Sequence, residues 1–273
     1  MNKRFLYLDN GVLTDYTSAL GNYKTGSMPM PFVANRDYLF IGSRLPFNHF
    51  YVKLANSNAH ISSIAVEYWS DNGWNAVVNT LDETEAFANS GFVTFTPDKD
   101  KVWKLEEKSN VIPQLSSTMI YDNYWLRITF VPDLHVNTTV DWIGNIFSDD
   151  NDLAAEFPDL VRSNVLSAFQ TGKTNWQEQA VKAAEIIEHD LANRGILDGS
   201  ESILDREWYK NASVQKTAEI IFSAFGDDYI DQRARAREEY GLRLVKRLAR
   251  VDKNLNAIED PYERKVVTGF LSR

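Results

Sequence analysis

Ile64-Ala65-Val66-Glu67-Tyr68-Trp69-Ser70-Asp71-Asn72-Gly73-Trp74-Asn75-Ala76-Val77-Val78 decides the fold of the first half of the chain. Ile64, Val66 and Tyr68 alternate on one face, the period of a half-buried strand. Asn72-Gly73 supplies positive φ at little cost and turns the chain. Trp74, Ala76 and Val78 alternate on the return, so the stretch reads as a β-hairpin. Outward from it, Tyr38–Gly42, Phe50–Leu54, Phe92–Thr96 and Tyr124–Phe130 read as further strands. Pro97-Asp98 stops the third of these and Pro132 the fourth. Short strands with regular turn signals predict an antiparallel sandwich.

The pattern changes near residue 147. Of 34 aromatic residues, 23 lie within 1–150, a density that suits pleated surfaces. Beyond 150 the apolar spacing becomes helical. Asp152 or a neighbour caps a first helix, with Pro158 in its early turns and Gly172 at its end. Thr174-Asn175-Trp176-Gln177 has the form of a capping box. Trp176, Ala180, Ala183, Ile187 and Leu191 follow on one face, and Gly195 stops that helix. A third helix is expected over 212–225 and a fourth over 229–255. The seam of the fourth is Tyr240, Leu244, Leu248, Val251 and Leu255. The expected class is therefore α+β: an N-terminal antiparallel β-sandwich, jelly-roll-like, followed by a C-terminal α-helical bundle. Expected boundaries are 1–147 for the sandwich, 148–255 for the helical domain and 256–273 for a C-terminal tail.

At 273 residues the chain has room for two ordinary domains. Net charge is −9, which argues against a nucleic-acid-binding surface over the whole chain. The chain has no cysteine, which excludes disulfides, thiolate metal sites and cysteine nucleophiles. No run approaches the roughly 18–20 apolar residues of a membrane span. The first ten residues meet Asp9 too early for a signal peptide, so the product is expected not to be secreted by the usual route.

Two resemblances sharpen this reading. The run Val66–Trp103, with Tyr124–Phe130, resembles a β-sandwich module of tailed-phage virion proteins. The shared pattern is the Val66-Glu67-Tyr68 hairpin with its Gly73-Trp74 return, an acidic loop, Ser90-Gly91, Pro97-Asp98, Trp103 and a late Tyr124-Trp125-Leu126-Arg127-Ile128 strand. Galactose-binding-like modules share this look. The run Ile203–Asn256 resembles the helical core of phage head–tail connector, or adaptor, proteins. Its pattern is Tyr209-Lys210-x-Ala212, Ile221-Phe222-x-x-Phe225, Asp227-Asp228, a long helix with Glu238-x-Tyr240, and Asp252-x-Asn254-x-Asn256. It departs from the family at Ala257, where glycine is usual. The second resemblance implies a homo-oligomeric, dodecameric ring in the neck of a virion, made in the host cytoplasm. The ring would bind the portal protein on one side and tail-side neck or sheath-terminator proteins on the other. DNA would pass through as cargo, and neither a membrane nor a cofactor is implied.

Candidate site residues follow. Residues 231–250 hold seven basic and three acidic side chains. Arg233 and Arg237 share a helix face, as do Arg243, Lys246, Arg247 and Arg250. Read functionally, they meet an acidic portal surface or channel DNA; read structurally, they are a solvated face opposite the leucine seam. Tyr262, Arg264, Phe270 and Leu271 belong to the tail, which either packs as a last short helix or becomes ordered on the portal. Trp69, Trp74, Trp103 and Trp125 serve either as a sugar-stacking platform or as core packing. Asp252, Asn254, Asn256 and Glu263 have the spacing of calcium-loop positions 1, 3, 5 and 12. Ala257 at position 6, Pro261 and the two-carboxylate count oppose that, and no metal site is expected. His49, His60, His135 and His189 are scattered. Without a Gly-x-Ser-x-Gly elbow or a phosphate loop, no enzymatic activity is expected. The principal expectation is a structural connector. The alternatives are a carbohydrate-binding sandwich with a helical oligomerisation domain, or a tail or baseplate component.

Overall fold

The computed structural model describes residues 3–70, 73–105, 112, 123–194, 202–203, 206–245, 249–252, 256–258 and 264–265. The class is α+β. The chain divides into two compact units: Met1–Gly144 with Asp252–Ile258, and Asn145–Val251 with Glu259–Arg273.

The first unit contains β1 (Arg4–Asp9), β2 (Val12–Asp15), a short helix α1 (Thr17–Leu20), β3 (Met28–Pro29), β4 (Tyr38–Ser43), β5 (His49–Asn56), β6 (Ser63–Ser70), β7 (Gly73–Ala76), β8 (Asn79–Asp82), β9 (Gly91–Thr96), β10 (Tyr124–Val131) and β11 (Thr139–Gly144). Six strands form one sheet in the order β2-β1-β4-β10-β6-β7, and five form another in the order β3-β11-β5-β9-β8. The pairings within both are antiparallel.

Strand alternation decides what lies between the sheets. Leu39 and Ile41 of β4, Val66 and Tyr68 of β6, and Leu126, Ile128 and Phe130 of β10 meet Phe50, Val52, Val93, Phe95, Val140 and Ile143 of the other sheet in one buried core. The expected hairpin is present as β6–β7, with Trp69 opposite Trp74 and Ser70 opposite Gly73. Its turn residues Asp71 and Asn72 lie outside the described residues.

One loop of this unit has an unusual backbone. Glu85, Ala86 and Phe87 take φ of 51°, 53° and 67°, three successive left-handed residues without glycine. Such a conformation costs roughly 1–2 kcal/mol per residue. The turn is held by the Asp82 carboxylate, which accepts from Thr84 N at 2.9 Å and Ala86 N at 2.7 Å. Asn58 holds it from outside: its N–H donates to Phe87 O at 2.7 Å and its Nδ2 to Ala86 O at 3.1 Å.

The second unit contains α2 (Asp150–Glu156), α3 (Ser163–Phe169), α4 (Gln177–Asn193), β12 (Ser202–Ile203), α5 (Arg206–Ala224), a 3-10 turn (Gly226–Tyr229), α6 (Ile230–Val245), β13 (Ala249–Asp252) and β14 (Arg264–Lys265). The three short strands make a small sheet, β12-β13-β14. Helix α5 packs against α2, α4 and α6. A core of Leu153, Leu160, Leu166, Trp176, Val214, Ile221 and Phe222 gathers residues from α2, α3 and α5.

The capping differs from expectation. The capping box forms at α2, where Asp149 Oδ1 accepts from Asp152 N and Asp152 Oδ2 accepts from Asp149 N. At α4 the Thr174 box does not form; the first residue is Gln177, and Asn175 Oδ1 accepts its N–H at 3.2 Å. Trp176 is fully buried there, with Nε1 donating to Leu160 O at 2.8 Å. Helix α5 starts at Arg206, earlier than residue 212. Helix α6 is described over Ile230–Val245, and Ala249–Asp252, expected to continue it to 255, form β13 with Val251 in it. Ala236, Tyr240 and Leu244 are its buried seam, while Leu248 and Leu255 lie outside the described residues.

Residues 252–258, which span the expected junction of helical domain and tail, group with the first unit. Ala257 is 2% exposed within the two-sheet core. Among the described residues no helix is long and apolar enough to cross a membrane.

Candidate functional site

Helix α6 carries the candidate arginines, and its surroundings determine what they can do. Arg243 is held by Glu156 of α2 through two bonds, Nη2 to Oε1 at 2.6 Å and Nη1 to Oε2 at 3.2 Å. Its Nη1 also donates to Asn211 O at 3.3 Å, and its Nε lies 3.5 Å from Glu239. This fork-to-fork geometry fixes the guanidinium plane. Arg237 Nε donates to Glu219 Oε1 at 2.8 Å, and Lys216 Nζ donates to Glu219 Oε2 at 2.7 Å. Burial alone would raise the Glu219 carboxyl. The bonds from Lys216 and Arg237 outweigh it and hold the group below the usual range.

Tyr240, on the seam between these arginines, donates to Asp190 of α4 at 2.6 Å. Burial and this bond together push its phenol above the ordinary value. Arg233 is half-buried and Arg235 exposed, and neither forms an ion pair among the described residues. Ile230 and Leu242 are exposed on the same helix.

Beside Arg243 lies a groove of about 590 Å³, lined by Asp152, Glu156, Lys210, Asn211, Val214 and Arg243. Arg206, 6% exposed, donates to Asp152 at 2.9 Å and to Glu207 at 3.0 Å. Lys210 pairs with Glu207 and lies 3.8 Å from Asp152. Burial raises the Asp152 carboxyl, against the opposing charge of Arg206. Asp152, Glu156 and Glu207 thus face Arg206, Lys210 and Arg243 here, so the charge of Arg243 is answered within the chain.

Of the other candidates, Arg250 and Arg264 are brought together as cross-strand partners of β13 and β14. Arg247, Tyr262, Phe270 and Leu271 lie outside the described residues. So do Asn254 and Glu263 of the calcium-like spacing. Within that loop Ala257 takes φ 59°, the left-handed conformation for which a calcium loop uses glycine. Asn256 Oδ1 accepts from Ile258 N at 2.8 Å. Among the described residues no group of three or more acidic or histidine side chains is placed to hold a metal.

The four tryptophans separate. Trp103 and Trp125 are 2% and 0% exposed, so they pack rather than present a platform. Trp69 and Trp74 are half-buried, 5.5 Å apart edge-to-face, on the outer side of the six-stranded sheet. Arg127 of β10 lies over Trp74 at 4.8 Å and Tyr38 at 5.1 Å, and donates to Glu67 at 2.7 Å. Cross-strand register places Arg127 opposite both Phe40 and Glu67, which aligns the cluster. An alternation reading of β10 and β6 could have found this arginine between aromatics.

Sequence reasoning missed a histidine pair. The rings of His60 and His135 stand 5.3 Å apart, edge to face. Asn58 Oδ1 accepts the N–H of both residues, at 3.0 and 2.8 Å, and so sets them side by side. Their separation along the chain left no local signal.

No protein-family model matches the chain, and no curated protein sequence matches it significantly.

Proposed function

We propose that this chain is a structural component of a tailed-phage particle, a head–tail connector. It would assemble as a ring on the portal and link the capsid to the tail. The two sheets are read as a jelly-roll-like sandwich and the helices as a bundle. The observation that carries the proposal is the two-sided character of α6. One side is pinned by Tyr240–Asp190, Arg243–Glu156 and Arg237–Glu219. The other leaves Arg235, Glu238 and Leu242 exposed. A rigid helix with a mixed apolar and charged outer face suits protein docking, in which apolar anchors supply affinity and charges set register. The ring would close by head-to-tail contacts.

Arg233 and Arg235 are the stronger candidates for partner contact than Arg237 and Arg243, whose charges are already answered within the chain. The tail would add Tyr262, Arg264, Phe270 and Leu271. A truncation that tests the tail should end after Ile258, because Ala257 belongs to the first unit's core. That variant should fold and lose portal binding; retained binding would count against the proposal.

A second reading, a carbohydrate-binding module, is favoured by one observation: Arg127 bracketed by Tyr38 and Trp74, with Glu67 beside it. Such a cluster combines ring faces with polar groups that a sugar can use. It predicts that sugars alter tryptophan fluorescence and that Trp74→Ala abolishes the change.

A further inference from the structure

The hydrogen bonds of the His60–His135 pair fix which nitrogen carries the proton on each ring. His60 Nδ1 lies 3.0 Å from Asp133 O. A carbonyl oxygen can only accept, so Nδ1 carries the His60 proton and Nε2 is its open nitrogen. On His135 the assignment is reversed. Its Nδ1 accepts the Asn137 N–H at 3.3 Å, so the neutral ring carries its proton on Nε2. The two rings thus stand 5.3 Å apart in opposite tautomers.

A second proton has a different consequence on each ring. On His60 it enters at Nε2 and breaks neither the bond to Asp133 O nor the one to Asn58. On His135 it must enter at Nδ1, where the Asn137 N–H already points; donor then faces donor and that bond is lost. With both rings charged, like charges also meet across 5.3 Å. The charged groups on the surrounding loops are engaged elsewhere. Asp133 Oδ1 accepts from Ala34 N at 2.7 Å, and Glu85 Oε2 accepts from Asn89 Nδ2 at 3.2 Å. On loop 33–37, Arg36 pairs with Asp37 and Asp9. Within 57–62 His60 is the one titratable side chain.

Loop 132–138 hangs on few bonds. His135 N donates to Asn58 Oδ1 at 2.8 Å, Thr138 N to His135 O at 2.9 Å, and Leu134 N to Phe32 O at 3.0 Å. Together with Asn137 N to Nδ1, three of these four run through His135.

We propose that the His60–His135 pair is a pH-sensitive latch: neutral rings hold loop 132–138 against Asn58, and proton uptake releases it. The hold is complete where both rings are neutral. It is lost as pH falls through the range in which histidine changes charge, between about pH 8 and 5. The released loop carries Val136, already 67% exposed. The proposal rests on neither the virion reading nor the sugar reading, since neither uses these two residues.

Amide exchange on the full chain, followed by NMR and corrected for the intrinsic rate at each pH, tests it. Between about pH 7.5 and pH 5.5, protection of the His135, Asn137 and Thr138 amides should fall roughly fivefold or more, the loss of one hydrogen bond. Protection of Leu126, Ile128 and Phe130 in β10 should not move, which separates the latch from general loosening in acid. His135→Asn keeps an acceptor two residues before the Asn137 N–H, as in an Asx turn, and takes up no proton. It should keep its protection at both pH values. His60→Asn keeps a donor for Asp133 O and removes the second charge, so its fall should be smaller. If His135→Asn fails to fold by circular dichroism, the unmodified chain and His60→Asn decide. Unchanged protection of the three amides in the unmodified chain, or an undiminished fall in either variant, would overturn the proposal.

Discussion

Trp125 lies across Gly42, its cross-strand partner, so closely that a Cβ at position 42 would stand 2.6 Å from the indole ring. The glycine in the middle of β4 is thus the space that the ring of β10 needs. Trp125 is fully buried, with Leu6, Leu8, Phe40 and Ile112 around it on the outer side of the sheet. Gly42→Ala should destabilise the first unit by about 1–3 kcal/mol, the usual cost of overpacking. Urea unfolding measures it. Adding Trp125→Leu should recover part of that loss, because the smaller side chain vacates the site.

Asn58 ties three loops. It is 4% exposed; Nδ2 donates to His60 O and Ala86 O, and Oδ1 accepts from His60 N and His135 N. Asn58→Ala leaves several of these groups unpaired, at about 1–3 kcal/mol for each one that stays buried. The expected total is about 2–4 kcal/mol, with hydrogen exchange rising first at residues 84–88 and 133–138. Unchanged exchange in both loops would contradict the tie.

Acid should act on the second unit through Asp150. Burial pushes its carboxyl up to about 6, although Trp176 N donates to it. A folded value above the unfolded one means that the folded state binds the extra proton between roughly pH 4 and 6. The contribution of this group therefore grows as pH falls through that window and is lost as pH rises through it. Asp150→Asn keeps an acceptor for Trp176 and removes the charge. It should be more stable than the unmodified chain at pH 7, with the advantage vanishing below about pH 4. Melting temperatures at both pH values decide this.

Glu219 should work in the opposite sense. Its carboxyl is held low, so its stabilisation is present above the unfolded value and lost as pH falls through the folded one. Glu219→Gln should cost stability at pH 7 and little at low pH. Because Glu219 is 6% exposed, removing Arg237 alone should also destabilise, despite that arginine being 74% exposed.

What was legible in the sequence is what depends on neighbours along the chain. The β6–β7 hairpin follows from strict alternation closed by Asn72-Gly73, and α4 from four-residue apolar spacing. The end of α6 was not legible: Leu244, Leu248, Val251 and Leu255 keep helical spacing. Yet Ala249 and Arg250 pair with Lys265 and Arg264, a partner that lies farther on. The left-handed run at Glu85–Phe87 was equally hidden, since neither Ala86 nor Phe87 favours positive φ; the hold comes from Asn58 and Asp82. The candidate arginines were visible, but their answering carboxylates, Glu156 and Glu219, lie far away in sequence and were not.

The most direct test of the connector proposal is quantitative mass spectrometry of purified virus particles from the source of this chain, comparing it with the portal protein. The proposal predicts near-equimolar amounts, as for a neck ring seated on the portal. A clearly different ratio, or absence from the particles, would contradict it.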